Sequence, residues 1–539
     1  MDPNLQEAVR AGSPRPRRAG IGLLALLTLV LAGAGDVPRA SGRVTAGLAA
    51  ERAHTAATTL PRFALFGWVS PPRESTTAAR YAELAGAGFN ITVLAWADSG
   101  FAADNRARLA YTRPSGVRNL ILDRTLADVS SSSAESLAFA DTVVARYRDD
   151  PALLGYYLGD EPLEDEFARL GELFAVLRER DPSHPAWNNL LGRAAFSSVA
   201  GYREYLERYV AATHPAVLSV DHYEFLQTGD RGQMAENIGT LASVARRNGL
   251  PFWGIVLLTS HGSYRDVTPG MLRWQAAQWL AWGAHGIGVF TYWTPAPDPA
   301  MNWRPGMITY DGVRTASYDT VRVLNARLAA VGNTLAGMRW LATVYAGSSP
   351  AGGTPFAPGD LVAGIEGRAT LGFFADSTNA PVLLVANADS LDGQTVTLVP
   401  GPGRSAERLR DDGSGWDALA GPGGRATLML PPGDFALVRL SGVVDWLVAG
   451  VPPLLSISPN PSRGSVRFTA SGTSGASRVE LLDLSGRRLW SYAYPAGGGT
   501  ADWSGVRSDG SRVPAGVYFA RLEDPHGASV RRVSWLGAP

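Results

Sequence analysis

The sequence predicts a (β/α)8 barrel, the TIM-barrel fold, followed by two all-β sandwich domains. Between residues 60 and 331, eight short apolar runs alternate with eight helix-like stretches, which is the pattern of that barrel. After Gly337 the chain changes to short alternating runs separated by Gly, Pro, Asn and Asp, which is typical of antiparallel sandwiches. A doubly wound parallel sheet is the alternative for the first part.

The length of 539 residues exceeds what a single hydrophobic core organises, so several domains are expected. The predicted division is a signal peptide at 1–35, a linker at 36–59, the barrel at 60–337, a first sandwich at 338–442, a linker at 443–455 and an Ig-like module at 456–539. The boundaries follow changes in composition and in hydrophobic periodicity.

The eight strands and eight helices of the barrel are predicted one by one from these patterns. Strands are expected at 63–69, 90–96, 118–123, 153–159, 186–191, 217–223, 252–258 and 286–293. Helices are expected at 76–87, 103–109, 133–147, 165–180, 202–212, 233–247, 268–283 and 317–331. Because barrel enzymes keep their active sites where the strands end, the residues at those positions matter most for function.

The fourth strand ends in the most informative motif of the chain, LLGYYLGDEP, Leu153 to Pro162. Pro162 cannot donate a hydrogen bond to a sheet, so pairing should stop there and leave Asp160 and Glu161 at the barrel rim. A carboxyl group half covered by aromatic rings has its charged form disfavoured and its pKa raised, as a general acid requires. The alternative role for one of the two is to cap the next helix.

Polar and aromatic side chains gather at the other predicted strand ends. The fifth strand ends in Asn188 and Asn189, and the sixth ends in a DHYE cluster at residues 221–224. Polar groups that hydrogen-bond hydroxyls, beside aromatic rings that stack on pyranose rings, are typical of a sugar site. The candidate substrate-binding residues are Trp68, Trp96, Asp98, Asp123, Asn188, His222, Tyr223, His261, Tyr292 and Trp293.

Four motifs, GYYLGDEP, SVDHYEF, FWGIVLLTSHG and MLRWQAAQWLAWGAHGIGVFTYW, follow one another along this region. Together they resemble glycoside-hydrolase barrels, particularly the β-galactosidase-like group, over roughly residues 60–335. The DEP element is similar to the Asn-Glu-Pro of the large retaining-glycosidase clan, in which the Glu at the end of strand four is the acid/base. The resemblance implies that role for Glu161, with Asp160 in the place of the clan's Asn.

The sequence departs from the clan at strand seven, where the clan has its nucleophile Glu and this chain reads LLTSHG. Either the nucleophile has moved, the enzyme inverts, or the barrel is catalytically inactive. Asp221 and Glu224 are the nearest replacements, and Asp221 is favoured because it lies closer to the strand. Carboxyl groups about 5–5.5 Å apart indicate a retaining route, and about 6.5–9.5 Å an activated water. The catalytic candidates are Glu161, Asp221, Asp160 and Glu224.

Composition excludes several function classes. Lys+Arg and Asp+Glu balance at 49 each, so no basic surface for nucleic acid is expected. Cysteine is absent, which excludes disulfides, a thiol nucleophile and a thiolate zinc site. The Gly-rich pieces lack a phosphate-loop lysine and no HExxH spacing occurs, so we expect no nucleotide, cofactor or metal.

The N-terminal segment has the pattern of a secretory signal peptide. Arg15, Arg17 and Arg18 precede a charge-free, mostly apolar run at 21–32, and Gly33, Ala34 and Gly35 follow it. The run is too short to span a bilayer comfortably. The sequence therefore predicts an exported chain, secreted or held at the cell surface, with no membrane span in its mature form.

The two β regions also resemble known modules. Residues 338–442 look like the accessory β-domain that often follows glycosidase barrels, with LPPGDFALVRL as the clearest element. NPSRG, LDLSGRR and VPAGVYFARL occur in order between Asn460 and Leu522, and they resemble FlgD-like Ig modules and type IX secretion sorting domains. That resemblance implies sorting or surface attachment, with bacterial secretion machinery as the partner.

The sequence thus favours an exported glycoside hydrolase that cleaves an oligo- or polysaccharide with paired carboxylates. The alternative is a non-catalytic carbohydrate-binding surface protein on a degenerate barrel, which the missing strand-seven carboxylate supports. A purely structural or adhesive protein would leave the polar rim unexplained.

Overall fold

The computed structural model describes residues 60–93, 101–129, 131, 133–419, 421, 424–442, 454–458, 460–471, 477–484, 486–495, 499–524 and 527–537. The predicted signal peptide, the linker at 36–59 and most of the second linker lie outside these residues. Among the helices of the described part, none is both long enough and apolar enough to cross a membrane.

Eight strands and eight helices alternate along the first described region, as predicted. The strands are β1 Ala64–Trp68, β2 Ile91–Val93, β3 Arg118–Ile121, β4 Leu153–Asp160, β5 Ala186–Asn189, β6 Leu218–Asp221, β7 Phe252–Leu257 and β8 Gly286–Phe290. The helices are α1 Ala78–Gly86, α2 Phe101–Thr112, α3 Ala134–Ala145, α4 Phe167–Arg180, α5 Val199–Thr213, α6 Met234–Arg247, α7 Pro269–Ala281 and α8 Ala316–Leu335. A small hairpin, Phe225–Leu226 with Gly229–Asp230, follows β6.

The eight strands are parallel and close into a barrel. Strand β1 pairs with β2 on one side and with β8 on the other, and the order runs on to β5 and to β6. Strands β5 and β6 meet at Leu190, whose amide donates a hydrogen bond of 2.8 Å to the Ser219 carbonyl and which forms a parallel bridge with Val220. This closure confirms the (β/α)8 barrel, and the doubly wound alternative is wrong.

Hydroxyl side chains mark the starts of several barrel helices. Helices α1, α3, α5, α7 and α8 follow a Ser or Thr whose side chain accepts a hydrogen bond from a first-turn amide. Such N-caps satisfy one of the amides that a helix start leaves without an intrahelical partner. The capping residues are Thr77, Ser133, Ser198, Thr268 and Thr315.

Aromatic rings fill the barrel interior. The ring centroids of Phe66 and Trp253 lie 5.5 Å apart, those of Trp187 and Trp253 6.1 Å, and those of Tyr157 and Trp187 5.1 Å. Strand β8 makes room for them, because a Cβ atom on Gly288 would lie 2.2 Å from the Phe66 ring. Large rings opposite glycine give a close-packed support beneath the strand ends.

The first β region contains ten strands in a seven-stranded and a three-stranded sheet. The strands are Arg339–Ala346, Thr354–Pro355, Val362–Glu366, Ala369–Ala375, Pro381–Asn387, Gln394–Pro400, Ala406–Leu409, Trp416–Ala418, Ala426–Leu430 and Phe435–Leu440. This sandwich docks on the barrel through α7 and α8: Arg327 of α8 pairs with Asp434 and donates to the Phe435 carbonyl at 2.6 Å, and Arg273 of α7 donates to the Pro432 carbonyl.

The second β region consists of a three-stranded and a four-stranded sheet around its own core. The strands are Leu454–Ser458, Val466–Ser471, Ser477–Leu482, Arg488–Tyr494, Gly499–Trp503, Gly516–Asp524 and Gly527–Trp535. Phe468, Trp503 and Trp535 lie in that core. Both regions are all-β, so the predicted fold class is confirmed, while the exact domain boundaries stay predictions.

Candidate active site

Three carboxyl side chains meet at the ends of neighbouring barrel strands. Asp160 is the last residue of β4, Glu161 follows it, and Asp221 is the last residue of β6. Strand β5 lies between β4 and β6, and its last residue is Asn189. Because the carboxyl ends of parallel strands meet at one edge, these four side chains form one cluster, the carboxyl cluster.

Asn189 joins two of the three carboxylates. Its side-chain amide donates to Oδ1 of Asp221 at 2.9 Å and to Oδ1 of Asp160 at 3.2 Å. The Ser219 hydroxyl donates to Oδ1 of Asn189 at 3.1 Å, which fixes the orientation of the amide. The side-chain NH2 group of Asn189 therefore donates to one carboxylate oxygen of each Asp, and so bridges the two Asp side chains.

Glu161 is held at the rim by its backbone. Its amide donates to the Asn189 carbonyl at 2.8 Å, and its φ is 46°, a left-handed conformation that costs a non-glycine residue roughly 1–3 kcal/mol. Just before it, Gly159 has φ 135°, and the pairing of β4 with β5 shifts register between Tyr157 and Asp160. Strain of this kind is found preferentially at functional sites.

Burial and mutual repulsion change the acidity of the cluster. Burial, followed by the charge of Asp221, raises the pKa of Asp160 to about 7. Burial raises the pKa of Glu161 well above its ordinary value, and the charges of Asp221 and Asp160 raise it further, as does its hydrogen bond with Asp221. Of the three carboxyl groups, Glu161 accordingly has its protonated form favoured by burial and by both neighbouring charges.

Asp221 is in a different electrostatic environment. Burial raises its pKa too, but the hydrogen bond from Asn189 and the nearby His222 and Arg231 act in the opposite direction. Each of these partners stabilises the charged form of the carboxylate. The pKa of both groups is thus raised, more strongly for Glu161, while the hydrogen bond from Asn189 offsets part of the rise for Asp221.

Two tyrosine rings border the cluster. Tyr157 of β4 and Tyr223 after β6 are both buried, and burial together with the neighbouring carboxylates raises the pKa of each phenol. Tyr223 was predicted as a binding residue, and the structure brings it to the cluster. Tyr157 lies inside the LLGYYLGDEP motif but was not among the predicted candidates.

His222, predicted as a binding residue, and Glu224, predicted as a catalytic candidate, hydrogen-bond each other in the loop after β6. Nε2 of His222 lies 2.6 Å from Oε2 of Glu224, and the Gly232 amide donates to Oε1 of Glu224 at 2.6 Å. Arg231 adds a hydrogen bond from its Nε to the Tyr223 carbonyl at 3.2 Å. Both Glu224 oxygens are used within the loop, so the structure gives Glu224 a positioning role beside Asp221.

The predicted residue His261 belongs to an aromatic wall on the β7–β8 side. Its ring packs on Trp303 with centroids 4.6 Å apart and on Tyr264 at 4.9 Å, and Phe290 at the end of β8 lies 5.5 Å away. Tyr223 packs edge-on against Tyr264 at 5.4 Å, which joins this wall to the carboxyl cluster. Tyr264, Phe290 and Trp303 are half-buried and were missed by the sequence reasoning.

Two other predicted binding residues are turned away from the cluster. Asp123 accepts a hydrogen bond of 2.7 Å from the Tyr147 hydroxyl and caps the short helix after β3. Asn188 donates to the Gly159 carbonyl at 2.9 Å and accepts from the Tyr209 hydroxyl at 3.2 Å, so it faces the helices outside the barrel. Two further candidates, Trp96 and Asp98, lie outside the described residues.

Three predicted aromatic candidates pack elsewhere. Tyr292 is buried against Phe89, with centroids 6.1 Å apart, and Trp293 lies under the Arg80 guanidinium at 5.1 Å. Both follow the end of β8 and point toward the helical layer. Trp68 is 4% exposed and packs on Tyr157 within the barrel interior. The structure brings none of these three to a position where a ligand at the rim would stack on it.

No carboxylate stands at the end of β7, where Thr259, Ser260 and His261 follow the strand. Across the described part of the chain, no group of three His, Asp or Glu side chains is placed to hold a metal ion. The carboxyl cluster offers groups suited to proton transfer, charge stabilisation and hydrogen bonding.

No protein-family model matches the chain, and no curated protein matches it either. Solved structures that align with it include Gan42B, a GH42 β-galactosidase, at 10% identity and a TM-score of 0.47, covering 71% of this chain and 99% of that one. An endo-β-1,4-mannanase from Thermotoga petrophila aligns at 9% identity and a TM-score of 0.36, over 88% of this chain and 98% of that one.

A β-galactosidase from the psychrophilic Marinomonas ef1 aligns at 10% identity and a TM-score of 0.39, over 51% of this chain. This chain spans 62% of that enzyme, which is less than two thirds of its length. At these levels of similarity, the alignments do not decide the activity or the substrate of this chain.

Proposed function

We propose that the chain is a glycoside hydrolase whose chemistry is carried by Glu161 and Asp221 at the ends of β4 and β6. One observation carries the proposal: carboxyl groups at the ends of two strands act on each other at the rim of the barrel, with the pKa of Glu161 raised well above its ordinary value and the Asn189 amide donating to Asp221. Glycosidic bond cleavage requires such a pair, one carboxylic acid and one carboxylate.

The roles follow from the two environments. Glu161 holds its proton and is the general acid, which protonates the leaving glycosidic oxygen. Asp221 is the carboxylate, which acts as nucleophile or as base toward water. Asp160 adds negative charge next to Glu161 and so favours its protonated form, and Asn189 keeps Asp221 oriented. His222 and Glu224 hold the loop that follows Asp221.

The two groups differ in how firmly they are held. Asp221 accepts a hydrogen bond from Asn189 at 2.9 Å, whereas the Glu161 side chain has three rotatable bonds, so Glu161 is the group with more freedom to adjust to a bound sugar ring. The separation of the two carboxyl groups around that ring, about 5–5.5 Å for a retaining enzyme or about 6.5–9.5 Å for an inverting one, decides the stereochemistry of the product.

The test is hydrolysis of a panel of aryl glycosides and polysaccharides by the parent chain, Glu161→Gln and Asp221→Asn. General acid assistance contributes about 10²–10⁴-fold, so Glu161→Gln should lose that factor on poor leaving groups and much less on activated ones. Asp221→Asn should lose activity on both kinds. The matched control is Glu204→Gln, an exposed residue of α5, which should keep the parent rates. Parent rates in Glu161→Gln on every substrate would refute the assignment.

A second candidate function is carbohydrate binding without catalysis. The absence of a carboxylate directly after β7, where Thr259, Ser260 and His261 stand, favours it. The same panel separates the two functions. Binding of glycans with no cleavage of any by the parent chain would establish the binding protein and exclude the hydrolase.

Export and surface attachment belong to the same proposal and are supported by sequence alone. Cleavage near Ala34 should release the signal peptide, and N-terminal sequencing of the mature chain that finds residues 21–32 retained would contradict it. Deleting residues 456–539 should abolish surface display and leave barrel activity unchanged. Loss of folding of the barrel in that truncation would refute the modular arrangement.

A further inference from the structure

A cavity of about 210 Å³ opens beside the carboxyl cluster, on the far side of the aromatic wall. It is smaller than the roughly 300–1,000 Å³ of pockets for drug-sized ligands, so it accommodates a group of about one ring. Its lining includes Ser260, His261, Tyr264, Arg265, Asp266 and Arg304. None of the residues that line it was a predicted site residue except His261.

The cavity shares one wall with the carboxyl cluster. Tyr264 lines the cavity. Burial is the main cause that raises the pKa of its phenol to about 12, and the charges of Asp221 and Glu161 act in the same direction. His261 lines it as well and packs on Tyr264 at 4.9 Å. The cavity is thus connected to the carboxyl cluster through the Tyr264 ring, which packs on Tyr223 at 5.4 Å.

Two arginines and one aspartate, Arg265, Arg304 and Asp266, line the cavity. Arg265 stacks on the Phe225 ring at 5.0 Å and donates to Asp230 at 2.6 Å, and its side chain is about one third exposed. A guanidinium has five N–H donors, and the bond to Asp230 uses one of them. Arg265 thus has further donors for a ligand oxygen.

Arg304 is the second cation at the cavity. Its Nε lies 3.4 Å from Oδ1 of Asp266, and the side chains are 60% and 75% exposed. An exposed ion pair of this length contributes little to stability. Arg304 can therefore leave Asp266 and pair with a carboxylate on a ligand instead. Together with Arg265, it places two guanidinium groups at one ring-sized space.

We propose that this cavity is a subsite for one anionic sugar ring of the substrate, whose carboxylate or sulfate ester is bound by Arg265 and Arg304. The inference rests on the proposed hydrolase function, because it places the subsite next to the scissile bond. Guanidinium groups recognise carboxylates and sulfate-like oxyanions through charge-assisted hydrogen bonds. The tyrosine and histidine rings supply the flat faces against which a sugar ring packs.

The test is calorimetric binding to the full chain carrying Glu161→Gln, which keeps the ligand intact. The probes are three disaccharides of the same backbone: neutral, with a uronic acid ring, and with a sulfated ring. At least one anionic probe should bind more tightly than the neutral one. Arg265→Gln and Arg304→Gln should each weaken that probe by about 10- to 100-fold and change the neutral probe less than threefold.

The control is Arg322→Gln on α8, an exposed arginine that pairs only with Asp319 at 3.1 Å in the described structure, and it should change no affinity. Using two arginine variants keeps the test valid if Arg265→Gln disturbs the loop through its lost pair with Asp230. Equal binding of all three probes, or equal losses for neutral and anionic probes in both arginine variants, would overturn the subsite.

Hydrolysis of the same probes by the parent chain separates the subsite from the hydrolase. Charge-selective binding without cleavage would support the subsite and contradict the proposed function. Cleavage that ignores the charge of the probe would contradict the subsite and leave the proposed function standing.

Discussion

Replacing Asp160 by Asn tests whether the carboxyl cluster carries the electrostatic strain that the structure indicates. Asn keeps the shape of Asp and can still accept the hydrogen bond from Asn189. It removes the charge that burial and Asp221 disfavour. The variant should therefore be more stable than the parent chain at high pH and equally stable at low pH.

The size of the effect follows from the two protonation equilibria. The pKa of Asp160 rises from 3.8 to about 7 on folding, and at about 1.4 kcal/mol per pKa unit the ceiling is about 4 kcal/mol. Because the folded-state pKa is raised, the favourable contribution exists below pH 3.8 and is lost as pH rises through 7. Solvent at the half-buried rim reduces the difference to about 1–3 kcal/mol above pH 7.

The assay is thermal unfolding of the parent and Asp160→Asn at pH 4, 6 and 8.5. A stabilisation of 1 kcal/mol raises the melting temperature of a domain of this size by roughly 2–4 °C. The control Asp319→Asn, a side chain that is 75% exposed, should give only a small shift and no stabilisation that grows with pH. A stabilisation by Asp160→Asn that does not grow with pH, or a destabilisation at pH 8.5, would refute the reasoning.

Two further predictions concern packing. Gly254→Ala should destabilise the barrel by about 1–3 kcal/mol or more in a denaturant titration, because its Cβ would lie 2.1 Å from the Trp279 ring. The control Gly201→Ala in α5 meets only ordinary contacts and should stabilise the chain by about 0.5–1 kcal/mol. A cost for Gly254→Ala that is no larger than that for Gly201→Ala would contradict this packing. Arg327→Met should cost up to about 3–5 kcal/mol by leaving the largely buried Asp434 without its partner. Limited proteolysis should then release the first sandwich from the barrel faster than in the parent, and unchanged cleavage would contradict the docking.

Much of the fold could be predicted because the barrel strands are short apolar runs between helices with clear periodicity. The LLGYYLGDEP motif gave both the end of β4 and the two carboxylates, since a proline stops the sheet. The end of β8 was placed too late, at Trp293 instead of Phe290. The aromatic run continues past the end of the strand because Tyr292 and Trp293 pack against the helical layer, where aromatic side chains are also buried. The sequence pattern therefore does not show where the strand ends.

The choice between Asn188 and Asn189 shows where sequence reasoning stops. Successive residues of a strand point to opposite faces, so one of the two had to face outward. The sequence does not contain the register that decides which, whereas in the structure Trp187 lies in the barrel interior and Asn189 follows on the same face. Asn188 was predicted as the binding residue, but it faces away from the barrel interior and donates a hydrogen bond to the Gly159 carbonyl.

Loop aromatics were also beyond the reach of the sequence. Tyr264 and Trp303 lie in connections without periodicity, so nothing in their neighbourhood indicates which way they face. Only the closure of the barrel brings them to His261. The signal that could have found them is their position, since each follows the end of a strand on the catalytic side of a barrel.

The pH dependence of kcat/KM on a glycoside with a poor leaving group, which needs the general acid, tests the central claim most directly. Because the pKa of Glu161 is raised, the parent should stay active through neutral pH and lose activity on the alkaline side as Glu161 ionises, and protonation of Asp221 should cause the loss on the acidic side. In Glu161→Gln the alkaline loss should disappear, because no proton remains to be lost, and the acidic side should be unchanged. An alkaline loss that persists in Glu161→Gln, or a parent chain that cleaves nothing at any pH, would contradict the account.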